Sequence, residues 1–155
     1  MLQWIKSLFR PPQPAGPAQI IKRFDGSDTT ITKNVVTSQD GGWLVDVAET
    51  QTVRLFEVED PQAENCMLAY RADLKSEDVQ GRTYLEMWCR IPGRGEFFSK
   101  GFHNALKGTN DWASCEIPFY LKRGQRPDLV KLNLMVEGRG RVWIKNIELS
   151  YVPFR

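Results

Sequence analysis

The chain has 155 residues, of which 41% are hydrophobic and 26% charged, and its formal net charge is +2. This length fits one domain that buries about two-thirds of its unfolded surface. Because the 21 basic and 19 acidic residues are interspersed, the chain lacks the basic patch that nucleic-acid binders usually carry, and we expect no nucleic-acid partner. No stretch approaches the roughly 20 apolar residues of a membrane span.

The first ten residues, MLQWIKSLFR, are amphipathic. Trp4, Ile5, Leu8 and Phe9 would share one face of a helix, with basic residues beside it. This pattern is typical of weak association with a membrane surface or of docking to a partner. A frayed helix, or one packed on the domain, explains it equally, because ten residues alone form only a marginal helix in water. The segment is too short and too polar for a signal peptide.

A proline-rich spacer follows the N-terminal segment. Four prolines within RPPQPAGPAQ (residues 10–19) predict an extended linker outside any core. We therefore divide the chain into an N-terminal segment with its linker, residues 1–18, and a globular domain, residues 19–155.

The remainder of the chain has the pattern of strands and turns that is typical of an all-β protein. Short runs of strand-forming residues are separated by Asp-Gly, Gly-Gly, Pro-Gly-Arg-Gly and Gly-Arg-Gly turns. Eight or nine strands at this spacing predict two packed antiparallel sheets, a β-sandwich or jelly roll. LKSEDVQG (residues 74–81) has a helix-like polar pattern and predicts a single turn between strands. The predicted strands are AQIIKRF, TTITKNVVTS, GWLVDVA, QTVRLFEVED, CMLAYRADL, RTYLEMWCRI, WASCEIPFYL, LVKLNLMVE and RVWIKNIELS.

Alternation assigns the faces of these strands. In RTYLEMWCRI the core phase leaves Tyr84, Glu86, Trp88 and Arg90 facing outward. In the other strands the same rule leaves Arg71, Lys131, Asn133, Met135 and Glu137 outside. RVWIKNIELS changes phase in its middle, and a β-bulge at Lys145 and Asn146 would reconcile its two halves.

Catalytic chemistry is poorly supported. The chain has one histidine, His103, and no serine or cysteine in a nucleophile elbow. Glu86 and Glu137 form the one plausible carboxylate pair of the kind a glycosidase needs, but glutamates on exposed strands usually only solvate the sheet. We expect a protein without catalytic residues.

The three cysteines, Cys66, Cys89 and Cys115, have no metal-ligand spacing. We interpret them as buried free thiols, which favours a reducing compartment such as the cytoplasm.

A structural calcium ion is the metal that a sandwich most readily accommodates. The candidate ligands are Asp25, Asp28, Asp40, Asn146 and Glu148. The simpler interpretation is that the aspartates set turns, so we assign no cofactor.

The stretch from Cys66 to Leu149 resembles the galactose-binding-like β-sandwich, which includes many carbohydrate-binding modules. RTYLEMWCRIPG looks like its central strand, GTNDWASCEIPF is similar to its Gly-Thr-x-x-Trp pattern, and GRGRVWIKNIELS looks like its closing strand. That closing strand commonly carries two acidic residues where this chain has Lys145 and Asn146, which weakens the case for a metal there.

The resemblance implies a sugar bound across a sheet face, with aromatic rings stacked on pyranose rings and polar groups bonded to hydroxyls. Transferred by position, the ligand-binding residues would be Tyr84, Glu86, Trp88, Arg90, Arg71, Lys131, Asn133 and Glu137. The leading hypothesis is a non-catalytic module that binds carbohydrate or another polyhydroxylated ligand. The alternative is a protein-interaction or assembly domain, in which these residues form an outer surface and Glu86 pairs with Arg90 across strands.

Overall fold

The computed structural model describes residues 13–155, so the amphipathic N-terminal segment lies outside the described residues. Within this range no helix is long and apolar enough to cross a membrane. The described chain forms nine strands, all paired antiparallel, and one 3-10 turn at Phe102–Asn104. The strands are β1 (Gln19–Phe24), β2 (Val36–Thr37), β3 (Trp43–Val47), β4 (Gln51–Glu59), β5 (Cys66–Ile91), β6 (Gly95–Lys100), β7 (Leu106–Leu121), β8 (Leu129–Val136) and β9 (Gly140–Pro153).

The long strand β5 belongs to both layers of the fold. Its residues 66–77 pair with β9 on one side and with β7 on the other. Its residues 83–91 pair with β8 and β6. The first layer is completed by β1 and β3 beside β9, with β2 beside β3, and the second layer by β4 beside β8. One continuous antiparallel sheet is therefore folded into two layers, which confirms the predicted all-β sandwich.

Aromatic side chains join the two layers through the core. Phe24 of β1 stacks on Phe56 of β4 with ring centroids 4.1 Å apart, and Trp43 of β3 meets the same ring edge-on at 5.3 Å. The hydroxyl of the buried Tyr70 in β5 donates to the backbone carbonyl of Asn133 in β8 at 3.2 Å. Burial of each large apolar side chain contributes about 1.5–3 kcal/mol, so these contacts hold the layers face to face.

The predicted alternation is confirmed in the central strands. Val130, Leu132, Leu134 and Val136 of β8 are fully buried, whereas the residues between them face outward. The predicted bulge in β9 is also present. Its register against β5 shifts by one residue next to Asn146, which has a left-handed φ of 55°. Ile144 and Ile147 are consequently both buried, although their spacing breaks the alternation.

Two predicted elements are wrong. LKSEDVQG does not form a helical turn but continues β5 from one layer into the other, because Asp78 takes a left-handed φ of 51° and the strand bends without ending. TTITKNVVTS contributes only the short strand β2. Its first part instead lies along β4, where the N–H groups of Ile31 and Thr32 donate to the carbonyls of Leu55 and Arg54.

The two ends of the described chain lie side by side. Pro14 forms an isolated antiparallel bridge with Phe154, and Ala15 N–H donates to the Pro153 carbonyl at 2.6 Å. Strand β1 begins at Gln19 and pairs with the end of β9 at Tyr151. The division between residues 18 and 19 stays a prediction.

Gly81 lies where β5 enters the second layer, and a substitution there tests the bend of β5 between the two layers. Its N–H donates to the Glu137 carbonyl, and a methyl group on Gly81 would lie 2.5 Å from that same oxygen. Since overpacking of this kind costs about 1–3 kcal/mol, Gly81→Ala should lower the free energy of unfolding by that amount in urea denaturation. Gly16→Ala is the control, because nothing lies within 4 Å of the added methyl. Equal stability of the two variants would contradict the close approach.

The three cysteines are free and buried, as the sequence predicts. Burial raises the pKa of the Cys66 and Cys115 thiols to about 11 and that of Cys89 to about 12. Because the thiolate is the reactive form, a disulfide reagent such as Ellman's should modify the folded protein far more slowly than the protein in urea. Rapid modification of the folded state would show that a thiol is accessible.

Candidate functional site

Most of the predicted binding residues meet on the outer face of the second layer. The register places Trp88 opposite Lys131, Glu86 opposite Asn133 and Tyr84 opposite Met135. The residues between them on β5, including Leu85 and Met87, are fully buried. We call the outer surface of β8, β5 and β6, together with the adjoining Phe102 and Glu137, the aromatic face.

An aromatic pair lies at the centre of this face. The β5–β6 hairpin puts Phe98 directly opposite Trp88, with ring centroids 5.2 Å apart and planes tilted by 53°. Phe98 is 55% exposed, and Trp88 is half-buried beneath it. The pair presents aromatic surface to solvent, with Trp88 on a strand that is hydrogen-bonded on both sides and Phe98 on the edge strand β6, and such surface suits stacking against an apolar ligand.

Charged side chains lie around the Trp88–Phe98 pair and form ion pairs with one another. Lys131 Nζ lies 2.9 Å from a carboxylate oxygen of Glu96, and Lys100 Nζ lies 3.6 Å from one of Glu86. Lys100 also stands over the Phe98 ring at 4.9 Å. Since each charge has a partner on the same face, these groups are held in place and neutralised in pairs.

Glu86 is a buried member of this set. Its side chain accepts a hydrogen bond of 2.9 Å from the Asn133 amide in addition to the Lys100 pair, and only 5% of the residue is exposed. Glu86 therefore fixes the positions of Asn133, which is itself only 6% exposed, and of Lys100, which is the more exposed of the two. The pairing of Glu86 with Arg90 across strands, which the alternative assumes, is not formed, because both residues lie on β5. Arg90 instead binds Asp128 through both of its carboxylate oxygens, at 2.8 and 3.3 Å.

A second cluster lies further along the face. Arg82 Nε donates to Glu137 at 2.7 Å, and the Tyr84 hydroxyl donates to the other Glu137 oxygen at 3.2 Å. The Arg82 guanidinium also covers the Phe102 ring at 4.3 Å. Tyr84 is only 3% exposed, whereas Phe102 is 48% exposed. The aromatic surface available at this end is therefore that of Phe102, and Tyr84 supports it edge-on.

Electrostatics at Glu137 argue against glycosidase chemistry. The hydrogen bond from Arg82 is the main cause that holds the pKa of Glu137 below its usual range, and it outweighs the effect of burial. A catalytic general acid needs the opposite shift, so that it remains protonated near neutral pH. The other member of the hypothetical pair, Glu86, is enclosed by Asn133 and Lys100.

Arg71 is the one predicted binding residue that lies elsewhere. It projects from the first-layer part of β5, where it donates to the Ser114 hydroxyl at 3.1 Å. It lines a cleft of about 400 Å³ beside the β9 bulge, together with Asp73 and Glu148. The grouping of Arg71 with the other candidates assumed neighbouring strands in one layer, whereas β5 carries Arg71 and Trp88 into different layers.

Four of the five candidate calcium ligands, Asp25, Asp28, Asn146 and Glu148, are engaged with protein groups. An Asp25 carboxylate oxygen accepts the Ser27 N–H, and Asp28 accepts the Asp25 N–H, so both carboxylates stabilise a turn. Asn146 donates to Asp73 at 2.7 Å, and Glu148 pairs with Arg23 at 3.0 Å. Across residues 13–155 no group of three or more His, Cys, Asp or Glu side chains is arranged to hold a metal ion.

Sequence reasoning missed the contribution of GEFFSK, which forms β6. The signal was present in the hairpin length, since the loop between Ile91 and Gly95 has three residues. Counting outward from that loop pairs Arg90 with Glu96, Trp88 with Phe98, and Glu86 with Lys100. Directly opposite residues share a face, so the alternation of β5 identifies all three partners.

Comparisons with known proteins identify the fold. No protein-family model matches the chain, and no curated protein matches its sequence. Among solved structures, a module described as Family 16 Carbohydrate Binding Module-2 aligns with a TM-score of 0.51 and 13% identity, covering 74% of this chain and 82% of that one.

Two further solved structures agree with this match. The CBM22-1 xylan-binding domain from Paenibacillus barcinonensis Xyn10C aligns with a TM-score of 0.52 and 9% identity, covering 91% and 99% of the two chains. The family 30 carbohydrate-binding module of a cellulosomal cellulase of Clostridium thermocellum gives 0.51 and 16%, covering 89% and 92%. The chain thus has the β-sandwich fold of carbohydrate-binding modules, and the resemblance seen in the sequence is confirmed for the fold.

The Arg82–Glu137 pair predicts how stability depends on pH. The folded-state pKa of Glu137 is lowered, so the pair contributes stability above the unfolded-state pKa and loses it as the pH falls through the folded-state pKa. Glu137→Gln should therefore be less stable than wild type at neutral pH, and the gap in melting temperature should close under acid conditions. Glu49→Gln, at an exposed position in the turn before β4, is the control. A gap that is constant with pH would contradict the prediction.

Proposed function

We propose that the protein is a non-catalytic binding module that holds a carbohydrate chain across the aromatic face. The observation that carries the proposal is the Trp88–Phe98 pair, because exposed aromatic rings on a rigid strand suit the apolar C–H surfaces of pyranose rings. The ends of Lys131, Glu96 and Arg90 lie around the pair and offer hydrogen bonds to sugar hydroxyls, whereas the Asn133 amide is buried against Glu86.

The charge pattern of this face favours neutral sugars. Lys131, Lys100, Arg82 and Arg90 are each paired with a carboxylate in the same region. An anionic ligand would have to break such pairs to gain a cation, whereas hydroxyl groups can bond to paired charges without separating them. The solved modules of the same fold support this assignment, since they are described as carbohydrate-binding and one as xylan-binding.

The proposal predicts loss of binding when the aromatic pair is removed. Wild type should bind at least one member of a panel of soluble neutral polysaccharides, including xylans, β-glucans and mannans, with saturable quenching of tryptophan fluorescence. Trp88→Ala and Phe98→Ala should each weaken binding at least about tenfold, equivalent to ~1.4 kcal/mol. Isothermal titration calorimetry with the same sugars provides an independent affinity.

The matched control is Trp143→Ala. Like Trp88, Trp143 is a half-buried tryptophan on a central strand, but it lies on the first layer, where Lys75 stands over its ring at 5.3 Å. Its substitution should leave sugar binding unchanged, and thermal unfolding verifies that all variants are folded. Equal losses in Trp143→Ala and Trp88→Ala would contradict the assignment of the site. A flat response of wild type to the whole panel would favour the alternative, a protein-interaction or assembly domain.

A further inference from the structure

Most sheet edges of the described chain carry features that prevent pairing with another strand. The outer side of β4 is covered by the N–H groups of Ile31 and Thr32. Strand β7 contains Pro118 and several register shifts, β1 has a register shift after Ile20, and β2 has only two residues. Proteins commonly protect exposed strands in these ways, because an unpaired edge is a template for a further strand.

Strand β6 is different. It has six residues with no proline and no register shift, and within residues 13–155 it pairs with β5 alone. Phe97 and Phe98 point to opposite faces of the strand and are 44% and 55% exposed. The edge is thus regular and flanked by aromatic surface, and its two charged residues, Glu96 and Lys100, have opposite signs.

The hydrogen-bonding pattern shows which backbone groups of β6 are directed outward. Gly101 N–H donates to the Leu85 carbonyl at 2.9 Å, so these opposite residues form a hydrogen-bonded pair. Such pairs alternate with non-bonded ones along an antiparallel ladder, and Trp88 with Phe98 is therefore a non-bonded pair. The N–H and C=O groups of Glu96, Phe98 and Lys100 consequently point away from β5, toward the open edge.

The side chains of β6 are complementary to those of a second β6 strand that runs antiparallel to it. If a second β6 pairs antiparallel about Phe98, each Phe98 lies opposite its equivalent and Glu96 of one copy lies opposite Lys100 of the other. The backbone groups that point outward are those of the same three residues, so this register forms a hydrogen-bonded pair at each of them. Within each copy Lys100 already contacts Glu86 and Glu96 contacts Lys131. The new contacts would join these into one row of alternating charge.

We propose that β6 is a self-association edge, which pairs with β6 of a second copy of this chain to form a two-fold symmetric dimer. The sheet then continues from one copy to the other, with its two aromatic faces side by side and both open to solvent. An isologous contact of this kind closes on itself and leaves no free β6 edge for further growth. A single short strand pair is a small interface, so the dimer should dissociate reversibly on dilution. This inference does not depend on the ligand of the aromatic face.

A charge exchange tests the register directly. Glu96→Lys places lysine opposite Lys100 of the second copy, and Lys100→Glu places glutamate opposite Glu96, so each variant alone should dimerise at least tenfold more weakly than wild type. An equimolar mixture of the two variants restores both opposite-charge contacts and should recover the dimer. Sedimentation equilibrium from micromolar to millimolar protein gives the association constants, and thermal unfolding verifies that each variant is folded.

Two further variants test the backbone bonds of the edge and control for a charge change away from β6. Glu96→Pro removes an outward N–H without removing a bond to β5 and should give a monomer, since edge strands tolerate proline where the N–H faces solvent. Lys122→Glu, at an exposed position after β7, should remain dimeric like wild type. A wild type that is monomeric at every concentration overturns the proposal. A mixture that fails to associate, or single variants that dimerise like wild type, overturns it as well.

Discussion

The arrangement of this protein depends on one strand that is shared by two layers. Because β5 hydrogen-bonds to β7 and β9 before its bend and to β6 and β8 after it, the register of either layer constrains that of the other. A slip of one residue in β5 would turn its core side chains outward in both layers at once. The bond from the Tyr70 hydroxyl to the Asn133 carbonyl adds a direct connection across the interior. The aromatic face is thus a consequence of the alternation that builds the core.

The polar groups on that face serve mainly to hold one another in position. Glu86 is almost completely buried and bonded by Asn133 and Lys100, and Glu137 is bonded by Arg82 and Tyr84. A buried carboxylate requires such partners, because leaving it unpaired would cost far more than an exposed ion pair contributes. The result is a surface of fixed donors and acceptors around exposed rings, with little conformational freedom to lose when a ligand binds.

The sequence predicts much of this arrangement because alternation on β5 and β8 is clear and gives the outward face of Trp88, Glu86, Asn133 and Lys131. The family resemblance then groups these residues on one surface. The phase change in RVWIKNIELS likewise located the bulge beside Asn146. Arg71 was misplaced because alternation gives the face of a residue but not the layer, and a polar stretch such as LKSEDVQG gives no local sign that a strand continues through it. Phe98 was missed because GEFFSK was not assigned as a strand, although the hairpin length gives its register. Phe102 was missed because it lies in a 3-10 turn, which has no alternation to indicate its face.

Pro14 and Phe154 lie side by side, as described above, and this bears on how the fold can be connected to other polypeptides. A domain whose ends meet can be placed within a loop of a host protein without separating the host's own strands. For the same reason a circular permutant, with residues 13 and 155 joined by a short glycine linker and new ends opened in the exposed turn at Gly93 and Arg94, retains every strand of both layers. The order in which the strands are synthesised is therefore separable from the architecture that they form.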